Sequence, residues 1–159
     1  MYTSYFYHAE KLDMYLEIVT VDDTYVCRID YVDDPEDKNT DDLSDVAKAC
    51  FNELDLYFDN KLETFTFPIK YMKGTLFQQS VWDELRKIPF GETLSYKELA
   101  LKCGGANYSR AVANANGKNP ISIVIPCHRV ISSDGTLGGY TSGTDKKQAL
   151  LDHEGVIWK

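Results

Sequence analysis

The chain changes character near residue 72, and this break favours two small units over one continuous sheet or bundle. Before it, β-branched and aromatic residues form short strand-like runs. After it, short apolar helical stretches are punctuated by Gly and Pro. The electrostatics divide the same way. Residues 1–79 carry 17 acidic and 7 basic residues, a net of −10; residues 80–159 carry 8 and 10, a net of +2. The whole-chain charge of −8 speaks against a phosphate-rich partner, so the two halves have to be read separately. A hydrophobic content of 43% excludes wholesale disorder, and no apolar run approaches the ~20 residues of a membrane helix. Met1 to Leu12 lacks the basic and apolar regions of a secretory signal, which predicts a cytoplasmic protein with Cys27, Cys50, Cys103 and Cys127 reduced.

In the first half, Tyr15–Val21 and Tyr25–Val32 read as a hairpin around the turn Asp22-Asp23-Thr24. Asp33 to Asp45 reads as an acidic surface loop. Val46, Ala49, Cys50, Leu54, Tyr57 and Phe58 fall at helical spacing behind a Ser44 cap, and Phe65 to Pro68 is extended. In the second half, Thr75 with Gln78 and Ser95 with Glu98 are capping boxes that open two helices. The second stops at Gly104-Gly105, and a further helix runs from about Tyr108 to Ala115. Helix, Gly-containing turn, helix is a helix-turn-helix pattern, although most such pairs bind no nucleic acid. The later helix, Ser109 to Asn116, is small-residue rich with Arg110 as its one long side chain. It is either packed closely on its neighbours or slim enough for a narrow groove.

The most informative segment is Asn119-Pro120-Ile121-Ser122-Ile123-Val124-Ile125-Pro126-Cys127-His128-Arg129-Val130. Ile121 to Ile125 reads as a buried extended run that Pro126 ends, so Cys127 and His128 stand at the edge of a rigid scaffold. A thiol becomes a thiolate beside a base or a positive charge, and His128 and Arg129 are both of that type. Adjacent residues of an extended segment point to opposite faces, so Cys127 and His128 need a bend or a bridging water to communicate. Taken alone, the residues leave open a buried packing cysteine.

Ile-Pro-Cys-His-Arg-Val, with Asn119-Pro120 before it and Gly138-Gly139-Tyr140 and His153-Glu154-Gly155 after it, resembles the O6-alkylguanine-DNA alkyltransferase family. Phe77 to Trp82, Gly91 to Tyr96 and Ser109 to Val112 extend the resemblance over the second half. It implies an α/β protein: a small, non-catalytic, ribonuclease-H-like domain at 1–72, then a mostly helical alkyltransferase domain at 73–159. The second domain would carry a helix-turn-helix, winged-helix-like DNA-binding motif. The implied activity is a methylated-DNA–protein-cysteine methyltransferase that acts once and repairs duplex DNA by direct reversal. It would take the alkyl group of O6-methylguanine, with O4-methylthymine as an alternative base, after flipping the nucleotide through the minor groove.

The same resemblance implies the roles of individual residues. Cys127 would be the nucleophile and alkyl acceptor, and His128 and Glu154 would take its proton through a water. Asn119 would hold the active-site turn. Tyr96 would lie over the flipped nucleotide and donate at guanine O6. Tyr140, Thr141, Val130 and Ser133 would line the pocket. Arg110 would fill the stack, with Ser109, Ala111, Ala113 and Asn114 on the groove-facing side of its helix. The resemblance implies no cofactor, no membrane contact and a monomer.

Some features depart from the pattern. Cys27, Cys50 and His8 do not complete the zinc site of some relatives, so no metal is expected. Asn116 stands where some relatives have methionine, Thr141 where others have serine, and Ser122 where some have a pocket proline. The retained Cys127 argues against the alternative of a non-enzymatic damage sensor. The acidic excess falls on the half with no expected DNA contact, so the salt dependence of binding should be shallow.

Overall fold

The computed structural model describes residues 1–35 and 42–159. Part of the acidic loop read between Asp33 and Asp45, residues 36–41, lies outside the described residues. The chain forms two compact units, Met1–Met72 and Lys73–Lys159.

The first unit is a three-stranded antiparallel meander with one helix. Strands β1 (Tyr2–Ala9), β2 (Met14–Val21) and β3 (Tyr25–Val32) pair in the order β1-β2-β3. Asp22 and Asp23 both have positive φ, 53° and 50°, the central pair of a tight turn closed by the Thr24 N–H donating to the Val21 carbonyl at 3.1 Å. Strand β1 was not among the sequence expectations. Its signal is plain in retrospect, because Tyr5, Tyr7 and Ala9 alternate into the core. Helix α1 (Asp45–Phe58) starts where expected, with the Ser44 hydroxyl oxygen accepting from the Ala47 N–H at 3.3 Å. It buries Val46, Cys50, Leu54 and Tyr57, and Asp55 accepts from the Tyr7 hydroxyl at 2.7 Å. The piece around Phe65–Pro68 ends on the edge of the sheet, where Ile69 bridges Val26 in parallel.

The second unit is mostly helical. Helix α2 (Leu76–Leu85) begins at the Thr75–Gln78 capping box and turns Val81, Trp82 and Leu85 inward. Trp82 Nε1 donates to the Ala115 carbonyl at 2.8 Å. Gly74, at φ +99°, admits the indole: a Cβ there would collide with Trp82 Cη2. Strand β4 (Leu94–Ser95) pairs in parallel with β5 (Val130–Ile131). Helix α3 (Tyr96–Lys102) opens at the Ser95–Glu98 capping box. A 3-10 turn at Ala106–Tyr108 leads into α4 (Ser109–Gly117), and α5 (Thr144–His153) closes the unit. No helix among the described residues is long and apolar enough to cross a membrane.

One sequence expectation fails here. Ile121 to Ile125 is buried but is not an extended run. The Val124 N–H donates to the Ser122 carbonyl at 2.8 Å and the Ile125 N–H to the Ile121 carbonyl at 3.0 Å, with Ile123 at φ +72°. Cys127–Arg129 then forms a 3-10 turn. An apolar run signals burial but not direction, so it could not distinguish a coiled segment from a strand.

Candidate active site

The turn around Cys127 is held by one side chain. Asn119 Oδ1 accepts from the Ile121 N–H at 2.9 Å, and its Nδ2 donates to the Ile125 carbonyl at 2.6 Å. The same Nδ2 donates to Cys127 Sγ at 3.1 Å. Cys127 is buried, and burial pushes its thiol above the ordinary cysteine value. Hydrogen bonds from Asn119 and Tyr140 and the charge of Lys147 pull it down without reversing this. The resting group is therefore a thiol that needs a base.

His128 is the candidate base beside Cys127. Its Nε2 lies 2.7 Å from Glu154 Oε2, and both side chains are fully buried. The His128 Nδ1 is buried with no hydrogen-bond partner in the protein. Burial holds His128 below the ordinary histidine value, against the pull of Glu154, so the imidazole is neutral. For Glu154, burial acts upward, but the hydrogen bond with His128 and the hydrogen bonds and charge of Arg129 hold it well below the usual carboxylate range. The resting triad is thus carboxylate, guanidinium and neutral imidazole.

Pairing of β4 with β5 sets Tyr96, at the start of α3, beside the chain leaving the cysteine turn. The Tyr96 hydroxyl donates to the Gly139 carbonyl at 3.2 Å. Burial, and then the neighbouring Cys127, raise the Tyr96 pKa. Gly138, at φ +72°, lets the ring lie close, since a Cβ there would be 3.0 Å from Tyr96 Cε2. The Lys147 ammonium binds the Val130 carbonyl at 2.6 Å and the Gly139 carbonyl at 3.0 Å, and lies 3.5 Å from the Tyr96 hydroxyl. Burial lowers its pKa to about 8.

The structure brings Cys127, His128, Glu154, Asn119 and Tyr96 together, with Tyr140 at the thiol. Thr141 is exposed and donates to the Gly117 carbonyl at 2.9 Å. Val130 is fully buried in β5, and Ser133 is exposed on the turn closed by Ser132 and Gly135. Ser109, Arg110, Ala111, Ala113 and Asn114 share the exposed side of α4, while Val112, Ala115 and Asn116 face inward. Among the described residues, no group of three or more His, Cys, Asp or Glu side chains is placed to hold a metal ion.

Known proteins are similar to this chain in sequence and in fold. The sequence profile of the 6-O-methylguanine DNA methyltransferase DNA-binding domain matches residues 76–156. The methylated-DNA–protein-cysteine methyltransferase of Methanosarcina mazei is 39% identical over 157 residues, 94% of this chain and 96% of that protein. The chain belongs to this methyltransferase family.

The family's fold is shared along the chain. The O6-methylguanine methyltransferase of Mycobacterium tuberculosis superposes with a TM-score of 0.81 at 32% identity, over 97% of this chain and 93% of that one. The OGT of the same organism, solved in complex with DNA, gives 0.81 at 32% identity, over 95% and 91%. The mixed content expected from the sequence, a small sheet followed by helices, is that of these methyltransferases.

One residue of the candidate site was assigned another partner by the sequence reading, and one escaped it. Arg129 was expected to place positive charge beside the thiol. Its guanidinium instead takes both Glu154 oxygens, at 2.8 and 3.0 Å, and the Ile88 carbonyl at 2.7 Å. The cation acting on the thiol is Lys147. Its signal was its place on the apolar face of α5, three and four residues before the buried Leu150 and Leu151.

Proposed function

We propose that this protein repairs duplex DNA by moving the alkyl group of O6-methylguanine onto Cys127, once per molecule. The observation that carries this reading is the neutral His128 backed by Glu154, its Nδ1 buried and unpaired, one residue from a thiol that burial keeps protonated. That arrangement suits a base that takes the thiol proton through one water at the moment of attack.

The step balances as a direct displacement. The Cys127 proton passes through the water to His128 Nδ1. The thiolate attacks the alkyl carbon, so the S–C bond forms as the C–O6 bond breaks, and the electron pair leaves with guanine. Tyr96 donates its hydroxyl proton to that leaving base. Lys147, whose pKa of about 8 lies near neutrality, returns the proton to Tyr96 across 3.5 Å. The product thioether is stable, so turnover stops at one.

A base inside a duplex hides its O6 substituent, so the nucleotide is flipped out, at a cost of a few kcal/mol. The slim exposed face of α4, with Ser109, Ala111, Ala113 and Asn114, suits the minor groove, and Arg110 takes the space of the extruded base. Helices α3 and α4 act as the helix-turn-helix of a winged-helix-like domain at 73–159. The domain at 1–72 is a ribonuclease-H-like element without a chemical role, a reading supported by its antiparallel meander followed by a helix. O4-methylthymine is a second substrate by the same displacement, and the protein works as a monomer. Tyr140, Thr141, Val130 and Ser133 are the pocket residues in this reading.

The test is stoichiometric. Restored guanine, counted after incubation with excess O6-methylguanine duplex, rises to one per protein molecule and stops. Continued turnover, or no restoration, refutes the reading.

A further inference from the structure

We propose that Arg129 is a positioning residue: by committing its charge to Glu154 it keeps His128 uncharged and free to take the Cys127 proton. This rests on the reading of Cys127 as the alkyl acceptor. The geometry is a closed set of contacts. Glu154 Oε1 accepts from Arg129 Nε at 2.8 Å and from the Gly91 N–H at 3.3 Å. Oε2 accepts from His128 Nε2 at 2.7 Å and from Arg129 Nη2 at 3.0 Å. A carboxylate offers about four acceptor positions, and all are filled.

The remaining contacts of Arg129 fix it in place. Nη1 donates to the Ile88 carbonyl at 2.7 Å, and the guanidinium carbon lies 5.8 Å from the centroid of the Phe90 ring. Arg129 is only 5% exposed and Glu154 6%, so solvent does little to compensate either charge. A buried carboxylate without a partner cation is strongly unfavourable. Arg129 supplies that cation, so the hydrogen bond from His128 to Glu154 can come from a neutral imidazole.

The charged and titratable groups facing His128 are Glu154, Arg129, Lys147 and Cys127. Glu154 favours a proton on the imidazole, whereas Arg129 and Lys147 oppose it. Without Arg129, the carboxylate draws its countercharge from the imidazole. An imidazolium already carries a proton on Nδ1 and cannot accept one from the thiol.

The test is the pH dependence of methyl uptake by Cys127 from an O6-methylguanine duplex. The set is wild type, Arg129→Met, Arg129→Lys and Arg129→Met with Glu154→Gln. In Arg129→Met the acidic limb moves up by about one pH unit or more, with roughly 10-fold or greater loss at pH 7 that recovers at higher pH. Arg129→Lys keeps the wild-type midpoint at a lower rate. The double variant returns the midpoint to that of wild type while the rate stays low. A uniform loss at every pH, with the midpoint unmoved, would overturn the proposal.

The wild-type protein supplies a second measurement that needs no variant to fold. Nitrogen NMR is expected to find His128 neutral at pH 7, with its proton on Nε2 facing Glu154. An imidazolium at pH 7 overturns the role of Arg129. A wild-type protein that takes up no methyl at any pH refutes alkyl transfer instead, and the NMR titration still decides the question of Arg129.

Discussion

Asn119 Nδ2 donates to Cys127 Sγ at 3.1 Å with the same amide group that donates to the Ile125 carbonyl at 2.6 Å. One side chain thus closes the turn and touches the nucleophile. Replacing Asn119 with Ala strands the Ile121 N–H and takes one of two donors from the Ile125 carbonyl, which keeps the Cys127 N–H at 2.8 Å. The expected cost is about 1–3 kcal/mol in urea unfolding, since an unsatisfied buried group costs roughly that much. Methyl uptake falls as well, because the thiolate loses a donor.

Lys147 gives stability a signed pH dependence. It releases its proton at about 8 when folded and near 10.5 when unfolded. Between these values the unfolded chain binds more protons, so stability rises with pH. Relative to Lys147→Met, the wild type gains unfolding free energy between about pH 7.5 and pH 9.5. Urea titrations of both proteins at the two pH values check this. A constant difference would contradict the burial of the ammonium.

Glu154 has the same sign in a lower pH window: its depressed pKa also makes stability rise with pH. Its folded pKa lies below the ordinary value of 4.5, so its contribution is present above that value and fades as acid protonates it. Glu154→Gln leaves Arg129 without its counter-ion, and breaking a buried pair costs roughly 3–5 kcal/mol near neutral pH. The gap between wild type and variant narrows at about pH 3, as measured by denaturant unfolding.

The role proposed for Arg110 predicts that DNA handling and chemistry can be separated. Arg110→Ala lowers the rate of methyl uptake from duplex DNA by about 10-fold or more, since holding an extruded base is worth a few kcal/mol. Alkylation of Cys127 by free O6-alkylguanine base is unchanged. Equal losses on both substrates would place Arg110 in the chemistry instead.

Much of this was legible in the sequence because local rules dominate there. The Thr75 and Ser95 capping boxes, the Ser44 cap and the paired Asp turn each act through near neighbours, and each stands where the residues put it. Tertiary pairing was not legible. Arg129 sits two residues from Cys127, yet its partner is Glu154, 25 residues on. Lys147 reads as surface charge until α5 turns it inward beside Leu150 and Leu151. The turn at Ser122–Ile125 depends on the Asn119 amide, which an apolar run alone cannot reveal.

The central claim is tested most directly by mass spectrometry of the intact protein and its peptides after incubation with an O6-methylguanine duplex. The account predicts one added methyl group, on Cys127, in the wild type and none in Cys127→Ser. An unmodified Cys127, or equal methylation of the Cys127→Ser protein, would contradict it.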